Sequence, residues 1–257
     1  MTTAAELATQ ANELLRCRET PDYSLALNGL QVDNRAPVRR IAAAVDCSQR
    51  TIQGAIDAGA NLLVVHHGLF WGGLQPLTGA HLERVRLLLN HDVALYSAHL
   101  PLDAHDAMGN SLLLARSLGL VSTGGFARYQ SIFCGVQGES DIETAGLVGL
   151  CDRFAREHGG RALASAAEAG RRTRRWGIVS GAGISQDLLR EAIELGIDTV
   201  ITGEGPHWSA VDAAEKGLVI VYAGHYATET LGVQALAEWM AARAGVPWSF
   251  VAAPTGL

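Results

Sequence analysis

The chain of 257 residues contains a single lysine, Lys216. P-loop phosphate binding and Schiff-base catalysis both call for a lysine. Lys216 instead follows Ala-Ala-Glu and precedes Gly217, a helix-end context in which a cation suits the helix dipole. Neither chemistry is therefore expected. Cysteine is also scarce: Cys17, Cys47, Cys134 and Cys151 are scattered, with no C-x-x-C pair. That excludes a disulfide framework and a thiolate zinc site, and points to a reducing, cytoplasmic compartment. An excess of positive charge is missing too. A formal net charge of −6 argues against a nucleic-acid partner, because such binding rests on neutralising phosphates. The one basic cluster, RRTRR (Arg171 to Arg175), is expected to be a solvated loop, the alternative being a patch that steers an anionic substrate or partner. No apolar run approaches the roughly 18 to 20 residues of a membrane span. The opening MTTAAELATQANELL carries Glu6 and Glu13 among apolar residues and reads as an amphipathic helix rather than a secretory signal.

What is present is an ordinary globular composition, 48% hydrophobic and 18% charged. Short apolar runs alternate with amphipathic segments: IAAAV, SQRTIQGAIDAGA, NLLVV, and later WGIVS, SQDLLREAIELG, IDTVIT. Strands alternating with helical stretches predict an α/β fold with parallel connections. A serine (Ser48, Ser185) stands at each expected helix N-cap and a glycine (Gly59, Gly196) closes each helix. The two segments look like copies. Each is followed by a second matched pair, HDVALYSAHLPLD and KGLVIVYAGHYATE, in which His99 aligns with His225 and Asp103 with Glu229. A unit used twice predicts two similar α/β domains with mixed sheets. We place the first at 1–125, completed by 225–257, and the second at 126–224.

The run NLLVVHHGLFW ends an apolar strand on two imidazoles, His66 and His67. Divalent metals of borderline hardness favour imidazole and carboxylate ligands held at strand ends or rigid turns. In α/β sheets, sites lie beyond the carboxyl ends of strands. His66 and His67, His99 and Asp103, and His225 and Glu229 all fall there. Adjacent histidines on a strand point to opposite faces and are poorly placed to share one metal; a bend in the backbone would let them serve two neighbouring ions, with a carboxylate such as Glu229 between. His207, in GEGPHW, follows another strand and is a candidate for substrate contact. His81, His91, His105 and His158 fall in polar or helical contexts that suggest no site.

In these residues the chain resembles the GTP cyclohydrolase 1 type 2 proteins, also called Nif3-like dinuclear metal centre hexameric proteins. The likeness runs in order through LNGLQV, VDCS, HHGLFW, HLPLDAHDAMGNSLLLARSLGL, SGAG, ITGEGPHW and AGHYATE. It implies two α/β domains flanking a cleft with two divalent metal ions, and six chains in a hollow ring. It places the metal ligands on His66, His67, Asp103, His225 and Glu229, with Glu229 touching both ions. It leaves His99 as a residue that orients a ligand or a water. The chain departs from the pattern at Gly68, where the family usually has proline, and at Leu100, where it usually has threonine. The short span from Gly124 to Trp176 leaves no room for the insertion domain of some members.

The resemblance implies a dinuclear divalent-metal-dependent hydrolase whose named reaction opens the imidazole ring of GTP, giving formate and a dihydroneopterin triphosphate. His99, Glu204 and His207 are then the candidates for general acid–base work. The alternative is a non-catalytic, metal-binding oligomeric scaffold with a regulatory or stress-response role. The segment GAGIS (Gly181 to Ser185) discriminates between them, because its backbone N–H groups before a helix would suit a triphosphate. Imidazole and carboxylate ligands suit zinc, manganese, iron and nickel alike.

Overall fold

The computed structural model describes residues 2–165 and 168–257. In chain order its elements are α1 (Ala4–Leu14), β1 (Gly29–Val32), β2 (Ile41–Asp46), α2 (Gln49–Asp57), β3 (Leu62–His67), α3 (Gly79–Asn90), β4 (Ala94–Ser97) and α4 (Leu100–Asp103). There follow α5 (Asn110–Ser117), β5 (Ser122–Tyr129), β6 (Ile132–Glu143), α6 (Thr144–Glu157), β7 (Leu163–Ala164), β8 (Arg172–Val179) and α7 (Gln186–Glu194). The chain ends with β9 (Thr199–Thr202), α8 (His207–Glu215), β10 (Val219–Tyr222), α9 (His225–Thr228), α10 (Thr230–Ala244) and β11 (Trp248–Phe250).

These elements form two compact units, each around its own mixed sheet. The first runs to His105 and resumes over Gly232–Ala253; its sheet has the order β1-β4-β3-β2-β11. Strands β4, β3, β2 and β11 are parallel, and β1 is antiparallel at the edge. Strand interiors are almost wholly apolar, as expected of parallel strands covered on both faces. Ala42, Leu63 and Leu95 pack against Ile52 of α2 and Leu88 of α3. Each such fully buried Leu or Ile contributes about 1.5–3 kcal/mol.

The second unit takes Asp106–Leu231 and Pro254–Leu257, with sheet order β5-β6-β8-β9-β10-β7. Strands β8, β9 and β10 are parallel; β5, β6 and β7 join antiparallel. The sequence expectation divides the chain near residue 125, whereas the compact units divide it at His105. The reason is α5: its Leu114 and Ala115 pack with Trp176, Ile178 and Ile201 of the second sheet.

The repeat is visible in the topology, since β2-α2-β3-α3-β4-α4 in one unit has its counterpart in β8-α7-β9-α8-β10-α9 in the other. Ser48 accepts from Thr51 N at 3.2 Å and Ser185 from Leu188 N at 3.1 Å, so both serines cap their helices. Thr51, Ile52 and Ala55 of α2 are buried, as are Leu188, Leu189 and Ala192 at the same helical positions of α7. The basic cluster is not a solvated loop. Arg172–Arg175 open β8, where Thr173 and Trp176 are fully buried and the arginines turn outward, Arg172 to Asp141 and Arg175 Nη2 to Glu139 Oε1 at 2.9 Å. Among the described residues no helix is long and apolar enough to cross a membrane, and all four cysteines are free.

Candidate metal centre

Each unit gathers titratable side chains at the carboxyl ends of its parallel strands. In the first unit β3 ends on His66 and His67, and the chain after β4 delivers His99 and then Asp103 on α4. The backbone N–H groups of Leu102 and Asp103 both return to His99 O, at 2.8 and 3.2 Å, so one helical turn sets the spacing of His99 and Asp103. The ring nitrogens of His66, His67 and His99 lie within 4.8 Å of one another, and His66 Nε2 stands 3.5 Å from Asp103 Oδ2. His66 is fully buried, and His99 nearly so.

The two adjacent imidazoles do not diverge to opposite faces of the sheet; their ring centroids are 4.9 Å apart. The cause lies in what holds each ring. His66 Nδ1 is 2.8 Å from Ala98 O, beside β4, and His67 Nδ1 is 2.9 Å from Asp46 Oδ1, its register partner on β2. His99 Nδ1 is likewise 2.8 Å from Asp22 Oδ1. A carbonyl or carboxylate oxygen only accepts, so each Nδ1 carries a proton, and in the neutral ring it is Nε2 that holds the lone pair. Three imidazoles are thus held in the tautomer a metal ion requires, by the oxygen contacts that commonly orient metal-binding histidines.

The second unit repeats the device. His225, the first residue of α9, has Nδ1 2.8 Å from Glu204 Oε1 and Nε2 3.1 Å from Glu229 Oε2. Burial works to lower the His225 pKa, but the Glu229 and Glu204 carboxylates outweigh it and raise it to about 9. Glu229 caps α9 and is buried. Two glycines make room for it. A Cβ on Gly181 would lie 2.1 Å from Glu229 Oε1, and one on Gly203 would lie 2.7 Å from the His225 Cα. The SGAG and TGEG segments therefore allow close backbone approach to the carboxylate and the imidazole. Gly181 N donates to Thr228 Oγ1 at 3.0 Å, and Ser185 Oγ already accepts from Leu188.

The space a side chain at Gly68 would take is filled by Gln31, whose Nε2 would be 2.2 Å from a Cβ there. Leu100 is buried, and its backbone N–H donates to Asp22 Oδ2 at 3.0 Å. His207 is the exposed first residue of α8, and Glu204 is engaged at the His225 ring. The sequence reading missed Asp22 and Asp46. Asp46 was within reach, as the polar end of an apolar strand in VDCS; Asp22 carries no local signal and is joined to His99 only through the fold.

The donors fit borderline divalent ions: imidazole nitrogens and carboxylate oxygens, with each ring anchored through Nδ1 so that Nε2 is the nitrogen an ion would take, displacing the proton His225 otherwise holds there. A sequence profile of the family Duf34/NIF3 (NGG1p interacting factor 3) matches residues 2–254. A GTP cyclohydrolase 1 type 2 homolog of Deinococcus radiodurans is 42% identical over 252 residues, covering 98% of this chain and 94% of its own. One of Halobacterium salinarum is 39% identical, covering 98% and 99%. Among solved structures, TTHA1606 from Thermus thermophilus superposes with a TM-score of 0.85 at 36% identity, over 100% of both chains. Protein ybgI, described as of unknown function, superposes with a TM-score of 0.88 at 32% identity, again over 100% of both chains. The chain belongs to the Duf34/NIF3 family.

Proposed function

We propose that the chain is a metal-dependent hydrolase that holds two divalent ions through His66, His67, Asp103, His225 and Glu229. The observation that carries this reading is the anchoring of Nδ1 on all three ligand imidazoles, by Ala98 O, Asp46 and Glu204. Ordinary buried histidines need one satisfied nitrogen; here every ring has its second nitrogen facing another titratable group or ring nitrogen. Such ions, when bound, acidify water and offset negative charge developing on a substrate. The protein's own part is to fix each ring, to keep the site dry around His66 and Glu229, and to carry protons. His99 is the proposed proton carrier, Glu204 the holder of His225, and His207 a substrate contact. The names of the relatives support GTP as the first substrate to try. A homohexameric ring and a cytoplasmic location are proposed on the family resemblance alone.

One observation favours the scaffold reading. The amide of Gly181 is engaged by Thr228 and the hydroxyl of Ser185 by its own helix, so the GAGIS turn offers a triphosphate less than its sequence suggests. The test is GTP turnover by protein reloaded with zinc, manganese, iron or nickel, followed as formate release, beside Glu229→Gln. Metal-dependent turnover abolished in Glu229→Gln supports the hydrolase; full metal loading without turnover of any nucleotide supports the scaffold.

A further inference from the structure

We propose that Asp22 is a positioning residue that fixes the tautomer of His99, holding the proton on Nδ1 and turning Nε2 toward the site. The role for His99 rests on the hydrolase reading above; the role for Asp22 does not.

Asp22 lies in the loop between α1 and β1, and its side chain is buried. Its Oδ1 accepts from Tyr23 N at 2.7 Å and faces His99 Nδ1 at 2.8 Å; its Oδ2 accepts from Asn28 Nδ2 at 2.7 Å and Leu100 N at 3.0 Å. Asn28 Oδ1 in turn accepts from His99 N at 2.7 Å. Burial pushes the Asp22 carboxyl up, but the hydrogen bond and charge of His99, with the Asn28 and Tyr23 donors, outweigh it and hold it below the usual range. The ring of His99 is packed by Trp71, centroid at 4.6 Å and edge-on, and by Tyr23 at 5.9 Å. With the ring packed by aromatics and Nδ1 tied to a carboxylate, Nε2 is the nitrogen left to face His66 and His67.

A purely structural role is the competing explanation, because Leu100 N is an orphan donor at the start of α4 that Asp22 satisfies. Asparagine separates the two. Its Oδ1 would still accept from Leu100 and Asn28, but its Nδ2 would donate to His99 Nδ1 and force the ring proton onto Nε2. The chemistry then balances in the wild type only. On the hydrolase reading, water forms an O–C bond to the imidazole carbon of GTP while its proton passes to His99 Nε2; the ring C–N bond then breaks, and that proton goes to the departing ring nitrogen, with Asp22 ionised throughout.

The experiment is 15N NMR of histidine-labelled protein at about pH 8.5, above the ordinary histidine range, with and without added zinc, with His99 assigned through His99→Gln. We expect His99 protonated at Nδ1 in the wild type and at Nε2 in Asp22→Asn, with metal content unchanged in both variants. Formate release from GTP should fall about 100-fold or more in kcat in Asp22→Asn, with KM unchanged. A wild-type His99 protonated at Nε2 overturns the proposal, even if Asp22→Asn does not fold. Wild-type turnover in Asp22→Asn overturns it as well, and so does metal loss in His99→Gln, which would make His99 a ligand. The expected tautomers in a protein that hydrolyses nothing would retain Asp22 in its role and remove the hydrolase reading.

Discussion

Gly181→Ala should push Glu229 out of its place without replacing any proposed ligand. The new Cβ would stand 2.1 Å from Glu229 Oε1, 3.1 Å from its Cδ and 3.3 Å from His225 Nε2. The carboxylate must retreat by about an ångström before that contact clears, and with it goes the 3.1 Å approach of Oε2 to His225 Nε2. Gly181 also has φ +62°, where a side chain costs about 1–2 kcal/mol. Gly59→Ala is the control: its φ of +71° imposes the same backbone cost, yet nothing lies within 4 Å of its Cβ. In urea, Gly59→Ala should show the backbone cost alone and Gly181→Ala at least as large a loss. Disturbing the contacts of a ligand costs roughly 10- to 100-fold in metal affinity, and displacing the ligand itself should reach the upper end. Zinc titration by calorimetry should show that loss in Gly181→Ala and wild-type affinity in Gly59→Ala. Unchanged affinity in Gly181→Ala would refute the placement of Glu229 as a ligand, and equal losses in both would show that backbone strain alone is at work.

Burial pushes the Cys47 and Cys151 thiols up to about 12, so at about pH 8 roughly one in ten thousand is thiolate. Both should resist maleimide until the protein is unfolded, as read by mass spectrometry. The depressed pKa of Asp22 makes its contribution fully present above the unfolded value near 3.9 and lost as pH falls through the folded one. The stability gap between wild type and Asp22→Asn, measured in urea, should therefore hold steady above about pH 5 and shrink as pH falls below the unfolded value near 3.9. Ser185→Ala should cost about 1 kcal/mol in the same assay, through the lost cap on α7.

The features legible in the sequence are those written in local periodicity. Apolar runs of strand length, a serine before each helix and a glycine after it, and two histidines ending an apolar strand are all neighbours in the chain. The spacing of His99 to Asp103 and of His225 to Glu229 was equally legible, because one helical turn makes it. The contacts that hold the rings were not. Asp22 reaches His99 from a loop before β1, and Asp46 reaches His67 only through the parallel register of β2 and β3. The apparent divergence of His66 and His67 failed for the same reason, since the pull on each Nδ1 comes from a different strand. RRTRR was misjudged because its charge masked a strand in which Thr173 and Trp176 are fully buried. The membership of α5 depended on which sheet its Leu114 meets, and periodicity identifies a buried face without naming the partner.

The most direct test of the central claim is elemental analysis of gently purified protein, repeated after reconstitution and dialysis, with the wild type beside Glu229→Gln. The expected result is two divalent ions per chain in the wild type and weakened retention of both in the variant, since an amide bridges two cations poorly. A wild-type chain that retains no more than trace metal after reconstitution would contradict it.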